Sequence, residues 1–157
     1  MYNHYCLRKI KIVVPFMVVL ISLAFMLLGL SCGSKNRANP THVMNIVNDT
    51  VSVSAGYHQA YPVTITSEMK NPMLVCSYKA SGGTGNDIVV YIMDEANYIN
   101  WKNGQQVSFY YNSGKSTTAS FSVAMNALGT YYIVYDNAFS TVSSKNVVSR
   151  VDLKYNI

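Results

Sequence analysis

G-T-Y-Y-I-V-Y-D-N-A-F-S, Gly129 to Ser140, decides the fold of this chain. Four aromatics fall within twelve residues, and an Asp-Asn pair follows the tyrosines. Successive side chains of a strand point to opposite faces, so Tyr131, Ile133 and Tyr135 share one face and Tyr132 and Val134 the other. Apolar residues on both faces predict a central strand of a layered β structure. Asp136-Asn137 then suits the turn that leaves the strand, with Phe139 tucked back against the core. The aromatics belong to architecture before they belong to any ligand.

The same alternation recurs along the chain. It is carried by Val51 and Val53, by Tyr61, Val63 and Ile65, and by Leu74, Cys76 and Tyr78 against Met73, Val75 and Ser77. Further runs are Ile88–Ile92, Ala119–Met125, and Val147, Val151, Leu153 and Tyr155 against Val148, Arg150, Asp152 and Lys154. Turn signals separate them: Gly56, Asn71-Pro72, Ser81–Asn86, Asn103-Gly104, Ser113–Lys115 and Asn126–Gly129. About seven to nine short strands punctuated this way predict an all-β antiparallel sandwich over residues 42–157. No segment has convincing helical periodicity, and one helical turn is the expectation for Asp94–Trp101.

The first residues give an address. Met1–Lys11 carries Arg8, Lys9 and Lys11 and no acid, and nineteen uncharged residues, Ile12 to Leu30, follow. A basic stretch before an apolar one reads as a segment for membrane insertion, over residues 1–31, with the bases held in the cytoplasm and the rest exported. The segment ends in L-G-L-S-C, Leu28 to Cys32, which resembles the lipobox of bacterial lipoproteins. That resemblance implies a cut after Ser31 and lipid on Cys32, although Gly29 stands where a lipobox favours leucine. Nineteen apolar residues also suffice for an uncleaved membrane anchor, and ordinary secretion is the third possibility. Residues 32–41, small, polar and ending near Pro40, form a tether.

Charge and cysteine content exclude several functions. The formal charge is +5, yet three of the twelve Lys/Arg lie in the leader; nine bases then face all seven acids, a balance of +2 with no basic cluster. Nucleic acid is not an expected partner. With Cys6 in the leader and Cys32 acylated, Cys76 is the single thiol left to the exported part, and its place in an alternating run predicts a buried strand cysteine. Neither His42 nor His58 is spaced to activate it. There is no CxxC, HxxxH or HExxH, so no metal and no cofactor is implied.

Three local constellations remain. S-G-G-T-G-N-D, Ser81–Asp87, is glycine-rich but runs into a strand instead of a helix N-terminus, which predicts a hairpin loop and not a phosphate cradle. Asp87 beside Asn86 and Asp136 beside Asn137 sit at strand ends, where such pairs form Asx turns more often than calcium sites. N-Y-I-N-W-K-N-G, Asn97–Gly104, with F-Y-Y-N, Phe109–Asn112, gathers the sole tryptophan with several tyrosines. Trp101, Tyr98, Tyr110 and Tyr111 are the candidate binding residues, as a stacking platform for sugar or an anchor patch for a protein partner. The competing expectation is that Trp101 caps the sandwich with Tyr98 and Tyr110 packed beneath it.

A family resemblance rests on three motifs. With N-D-I-V-V-Y-I-M-D (Asn86–Asp94), G-T-Y-Y-I-V-Y-D-N-A-F-S (Gly129–Ser140) and S-S-K-N-V (Ser143–Val147), the chain resembles a GOLD-type domain. This is the β-sandwich of the emp24/p24 family of secretory-pathway cargo receptors. The order and spacing agree over Met73–Tyr155, and D-N-x-F-S followed by K-x-V is the most specific part. The family's cysteine pair is missing, since Tyr135 stands before Asp136, and cargo sorting is not implied. The resemblance implies a binding or assembly module without catalysis. The expected function is an envelope-anchored lipoprotein working through its sandwich; the alternative is a carbohydrate-binding module using Trp101 and the tyrosines.

Overall fold

The computed structural model describes residues 41–157. The expected leader (1–31), the expected lipid-attachment residue Cys32 and the expected tether as far as Pro40 lie outside the described residues.

Among the described residues, eight strands and one helix follow in the order β1 (His42–Val53), β2 (His58–Ile65), β3 (Lys70–Ser81), β4 (Ile88–Asp94), α1 (Glu95–Lys102), β5 (Tyr111–Ser116), β6 (Thr118–Ala124), β7 (Gly129–Asp136) and β8 (Lys145–Asn156). They form two four-stranded sheets, β1-β8-β3-β6 and β2-β7-β4-β5, paired antiparallel throughout. The all-β sandwich expected from alternation is the architecture found. Every link between successive strands crosses from one sheet to the other except β4 to β5, which are neighbours joined through α1.

The core lies where the alternation puts it. From the first sheet come Val47, Val51, Val53, Leu74, Cys76, Tyr78, Val147, Val151 and Leu153; from the second come Val63, Ile65, Ile88, Val90, Ile92, Tyr131, Ile133 and Tyr135. Burying each large aliphatic side chain contributes about 1.5–3 kcal/mol, offset by the entropy of ordering it. The two buried tyrosines of β7 carry their hydroxyls to partners: Tyr135 Oη lies 2.6 Å from Ser149 Oγ on β8, and Tyr131 Oη donates to the Ala127 carbonyl at 2.9 Å. A phenol can enter a core only when its hydroxyl is bonded in this way.

Three expectations need correcting. The glycine-rich loop after β3 is an arch between the sheets, not a hairpin, because β3 and β4 belong to different sheets. Gly82 takes φ +104°, and a Cβ there would stand 2.6 Å from the Ser144 carbonyl oxygen, so glycine alone fits the approach of this arch to the β7–β8 loop. Phe139 does not join the core; it is half-buried on the surface with Lys115 Nζ 4.1 Å from its ring centroid. Finally, Glu95–Lys102 makes two helical turns where one was expected. No residue of α1 is fully buried, so no apolar stripe advertised it. Its ends were the available signal: Asp94 Oδ1 accepts from the Asn97 amide at 2.8 Å, and Gly104 at φ +68° closes the C-terminus. Gly104 N–H donates to the Trp101 carbonyl and Gln105 N–H to the Asn100 carbonyl, the paired bonds of a Schellman cap.

Candidate functional site

The helix α1 lies over the outer face of the β2-β7-β4-β5 sheet and carries two of the four candidate binding residues with it. Strands β2, β7 and β4 supply His58, Tyr132 and Tyr91 from below. Tyr98 stacks on Tyr132 with centroids 4.0 Å apart, and Trp101 meets His58 edge-on at 4.8 Å and Tyr91 at 5.8 Å. Phe109 stacks on the same Tyr91 at 4.6 Å, and Lys102 Nζ sits 5.0 Å from the Tyr98 ring. Each such aromatic pair adds about 0.5–1.5 kcal/mol beyond its buried area. Trp101 and Tyr98 are half-buried, so these rings form the contact by which α1 is held to the sheet.

The other two candidates are elsewhere. Tyr110 is exposed and meets Tyr131 edge-on at 5.2 Å, near the start of β7. Tyr111 turns inward and stacks on Phe121 of β6 at 3.5 Å, closing the gap between the edge strands of the two sheets. The four residues therefore do not form one platform: Trp101 and Tyr98 are together, and Tyr110 and Tyr111 are apart from them.

The motif acids are engaged in local bonds. At one end of the sandwich, Asp87 Oδ1 receives Lys145 Nζ at 2.9 Å, and the same ammonium reaches the Gly82 carbonyl at 2.9 Å. That hydrogen bond holds the Asp87 carboxyl below the ordinary range. Asp136 Oδ1 accepts from the Ala138 amide at 2.9 Å, an Asx turn. Burial pushes its carboxyl up, against the opposing effects of the Ala138 amide and His58. Asn137, fully buried, donates from Nδ2 to the carbonyls of Val53, Ser54 and Ser143 at 3.2, 3.2 and 2.9 Å. Its amide thus joins the end of β1, the turn into β2 and the loop into β8.

Cys76 is buried between β8 and β6, and burial first, then Asp152, pushes its thiol up to about 12. A thiol so rarely ionised is a poor nucleophile. Among the described residues, no three His, Cys, Asp or Glu side chains gather as a metal site.

A polar constellation on the other sheet escaped sequence reasoning. On the outer face of β1-β8-β3-β6, Arg150 Nε donates to Asp152 Oδ2 at 2.8 Å, and Asn45 Nδ2 donates to Asp152 Oδ1 at 2.9 Å. The R-x-D spacing placed Arg150 and Asp152 on the wet face of the last strand. Asn45 lies 107 positions from Asp152, and only the pairing of β1 with β8 joins them.

No family model matches the chain, and a search of curated proteins gives no match. The GOLD-type resemblance rests on the three motifs alone.

Proposed function

We propose that this protein is an extracytoplasmic, membrane-anchored binding module that works without catalysis. The observation that carries it is the use made of the acids: Asp87 pairs with Lys145, Asp94 caps α1, Asp136 closes a turn and Asp152 orients Arg150. An enzyme working by acid–base or covalent chemistry keeps a carboxylate, thiol or imidazole poised in a cleft. Here these four carboxylates are spent on local bonds that hold the fold, and Cys76 is buried.

We further propose a jelly-roll, GOLD-like topology. The strand orders β1-β8-β3-β6 and β2-β7-β4-β5 support it, since a jelly roll alternates between sheets at nearly every connection. The resemblance gains support from its own residues: the Asp87 and Lys145 of separate motifs pair, and Asn137 of the third bonds both neighbouring loops. Jelly rolls serve as lectin and capsid domains, an analogy that favours binding over turnover.

The address rests on the leader: a basic start, nineteen uncharged residues and L-G-L-S-C. The test is the intact mass of the chain from the membrane fraction of an expressing bacterium. A mature chain starting at a diacylated Cys32 is expected; an intact Met1 would assign an uncleaved anchor, and a soluble chain would remove the membrane from the proposal.

A further inference from the structure

The outer face of the β1-β8-β3-β6 sheet carries a shallow trough of about 380 Å³, walled by Arg150 and Asp152 and floored by Val75, Ser77, Ser120 and Ser122. Cross-strand register sets its rows. Arg150, Ser77 and Ser120 stand side by side across β8, β3 and β6; Asp152, Val75 and Ser122 form the next row. Neighbouring strands lie about 4.8 Å apart, so the three serine hydroxyls and the guanidinium all lie within one or two sugar widths.

Two features distinguish this face from an ordinary solvated sheet. The first is an oriented cation. Arg150 uses Nε on Asp152, and Asp152 is fixed from its other oxygen by Asn45. The terminal nitrogens of Arg150 have no partner among the described residues, and its side chain is 62% exposed. A guanidinium held along one edge presents its free N–H groups in a fork that matches a carboxylate. The second is a set of unused hydroxyls: Ser77, Ser120 and Ser122 are exposed, and their Oγ atoms bond nothing among the described residues.

Charge selects the occupant. Lys79 and Lys154 lie on the same face as Arg150, and its single acid, Asp152, is already engaged. The hydroxyls of Ser77, Ser120 and Ser122 surround Arg150, while the exposed apolar side chains of this face, Met73 and Val148, stand in the flanking rows beside Lys154 and Lys79. We infer that the trough binds an acidic glycan, with Arg150 on a sugar carboxylate and Ser77, Ser120 and Ser122 on neighbouring sugar hydroxyls. The inference rests on the binding-module proposal and places the site on the sheet opposite to Trp101.

The test is titration of the detergent-solubilised full chain with polygalacturonate oligomers, their fully methyl-esterified form, a neutral glucan, and vesicles of phosphatidylglycerol with phosphatidylcholine. Binding of the free-acid oligomers is expected, weakened at least tenfold by esterification or by Arg150→Gln, and several-fold by Arg150→Lys because the fork is lost. Ser120→Val and Ser122→Val should weaken it with melting temperature unchanged, and Trp101→Ala should leave it intact in whatever fraction stays folded. Equal affinity for the esterified form, or wild-type affinity in Arg150→Gln, would overturn the inference. Arg150-dependent binding to vesicles but to no glycan would overturn it in favour of a lipid surface. Binding of the neutral glucan alone, unaffected by Arg150→Gln, overturns this site and leaves the binding module standing, whereas retention on none of these ligands or on isolated envelope polymer overturns both.

Discussion

Lys145 Nζ lies 2.9 Å from Asp87 Oδ1, and the lysine that makes this contact is 3% exposed. A buried ammonium is tolerated only with its charge matched, and here one carboxylate and the Gly82 carbonyl provide the match. Removing the carboxylate by Asp87→Asn leaves the charge unmatched and should cost about 3 kcal/mol, seen as a lower denaturation midpoint. Replacing both residues, as in Lys145→Met with Asp87→Leu, should cost less than Asp87→Asn alone. A double variant no better than the single would show that the pair's value lies in packing.

Acid should destabilise the protein through this pair and the Arg150–Asp152 pair. Both carboxyls sit below their ordinary range, Asp87 through the Lys145 hydrogen bond and Asp152 first through Asn45 and then Arg150. A depressed folded-state pKa gives stability that is present above the unfolded value, about 3.9, and is lost as pH falls through the folded one. Melting temperature should therefore hold from neutrality to about pH 5 and fall below it. Asp136 acts in the opposite sense, because burial raises its carboxyl and the folded state binds its proton more readily. Asp136→Asn keeps the acceptor for Ala138, so it should melt at or above the wild-type temperature at pH 7, and the gain should vanish in acid. A loss at pH 7 would show that the charge of Asp136 is needed beside His58.

Asn137 should behave as a structural residue. Its Nδ2 serves three carbonyls from a fully buried position, and its own backbone amide donates to the Tyr57 carbonyl at 3.0 Å. Asn137→Ala strips the side-chain donors and should cost about 3 kcal/mol, since each unsatisfied buried group costs about 1–3 kcal/mol. Asn137→Asp should be worse, placing a carboxylate against carbonyl oxygens. A stable Asn137→Ala domain would return D-N-x-F-S to the ligand-site candidates.

Much of this fold is legible in the residues. Tyr131, Ile133 and Tyr135 reveal their buried face by spacing alone, and the wet and dry faces of β8 follow from Val147–Tyr155. Period-2 alternation survives because a one-residue slip would expose the whole core face. What stays hidden depends on partners distant in sequence. Nothing near Phe139 announces that Lys115 will meet it at the surface, and nothing near Arg150 announces Asn45. The helix α1 was obscured for another reason: it packs by half-buried aromatics that interlock with Tyr91 and Tyr132, leaving no apolar stripe to read.

The aromatic layer under α1 packs the helix to its sheet, and the proposed recognition belongs to the outer face of the β1-β8-β3-β6 sheet. Trp101→Ala tests this division most directly, through thermal melting with glycan retention read on the same sample. Loss of the contacts to His58 and Tyr91 should lower stability by about 2 kcal/mol, with glycan retention by the folded fraction unchanged. An unchanged melting temperature with retention abolished would contradict the account and make Trp101 the binding platform.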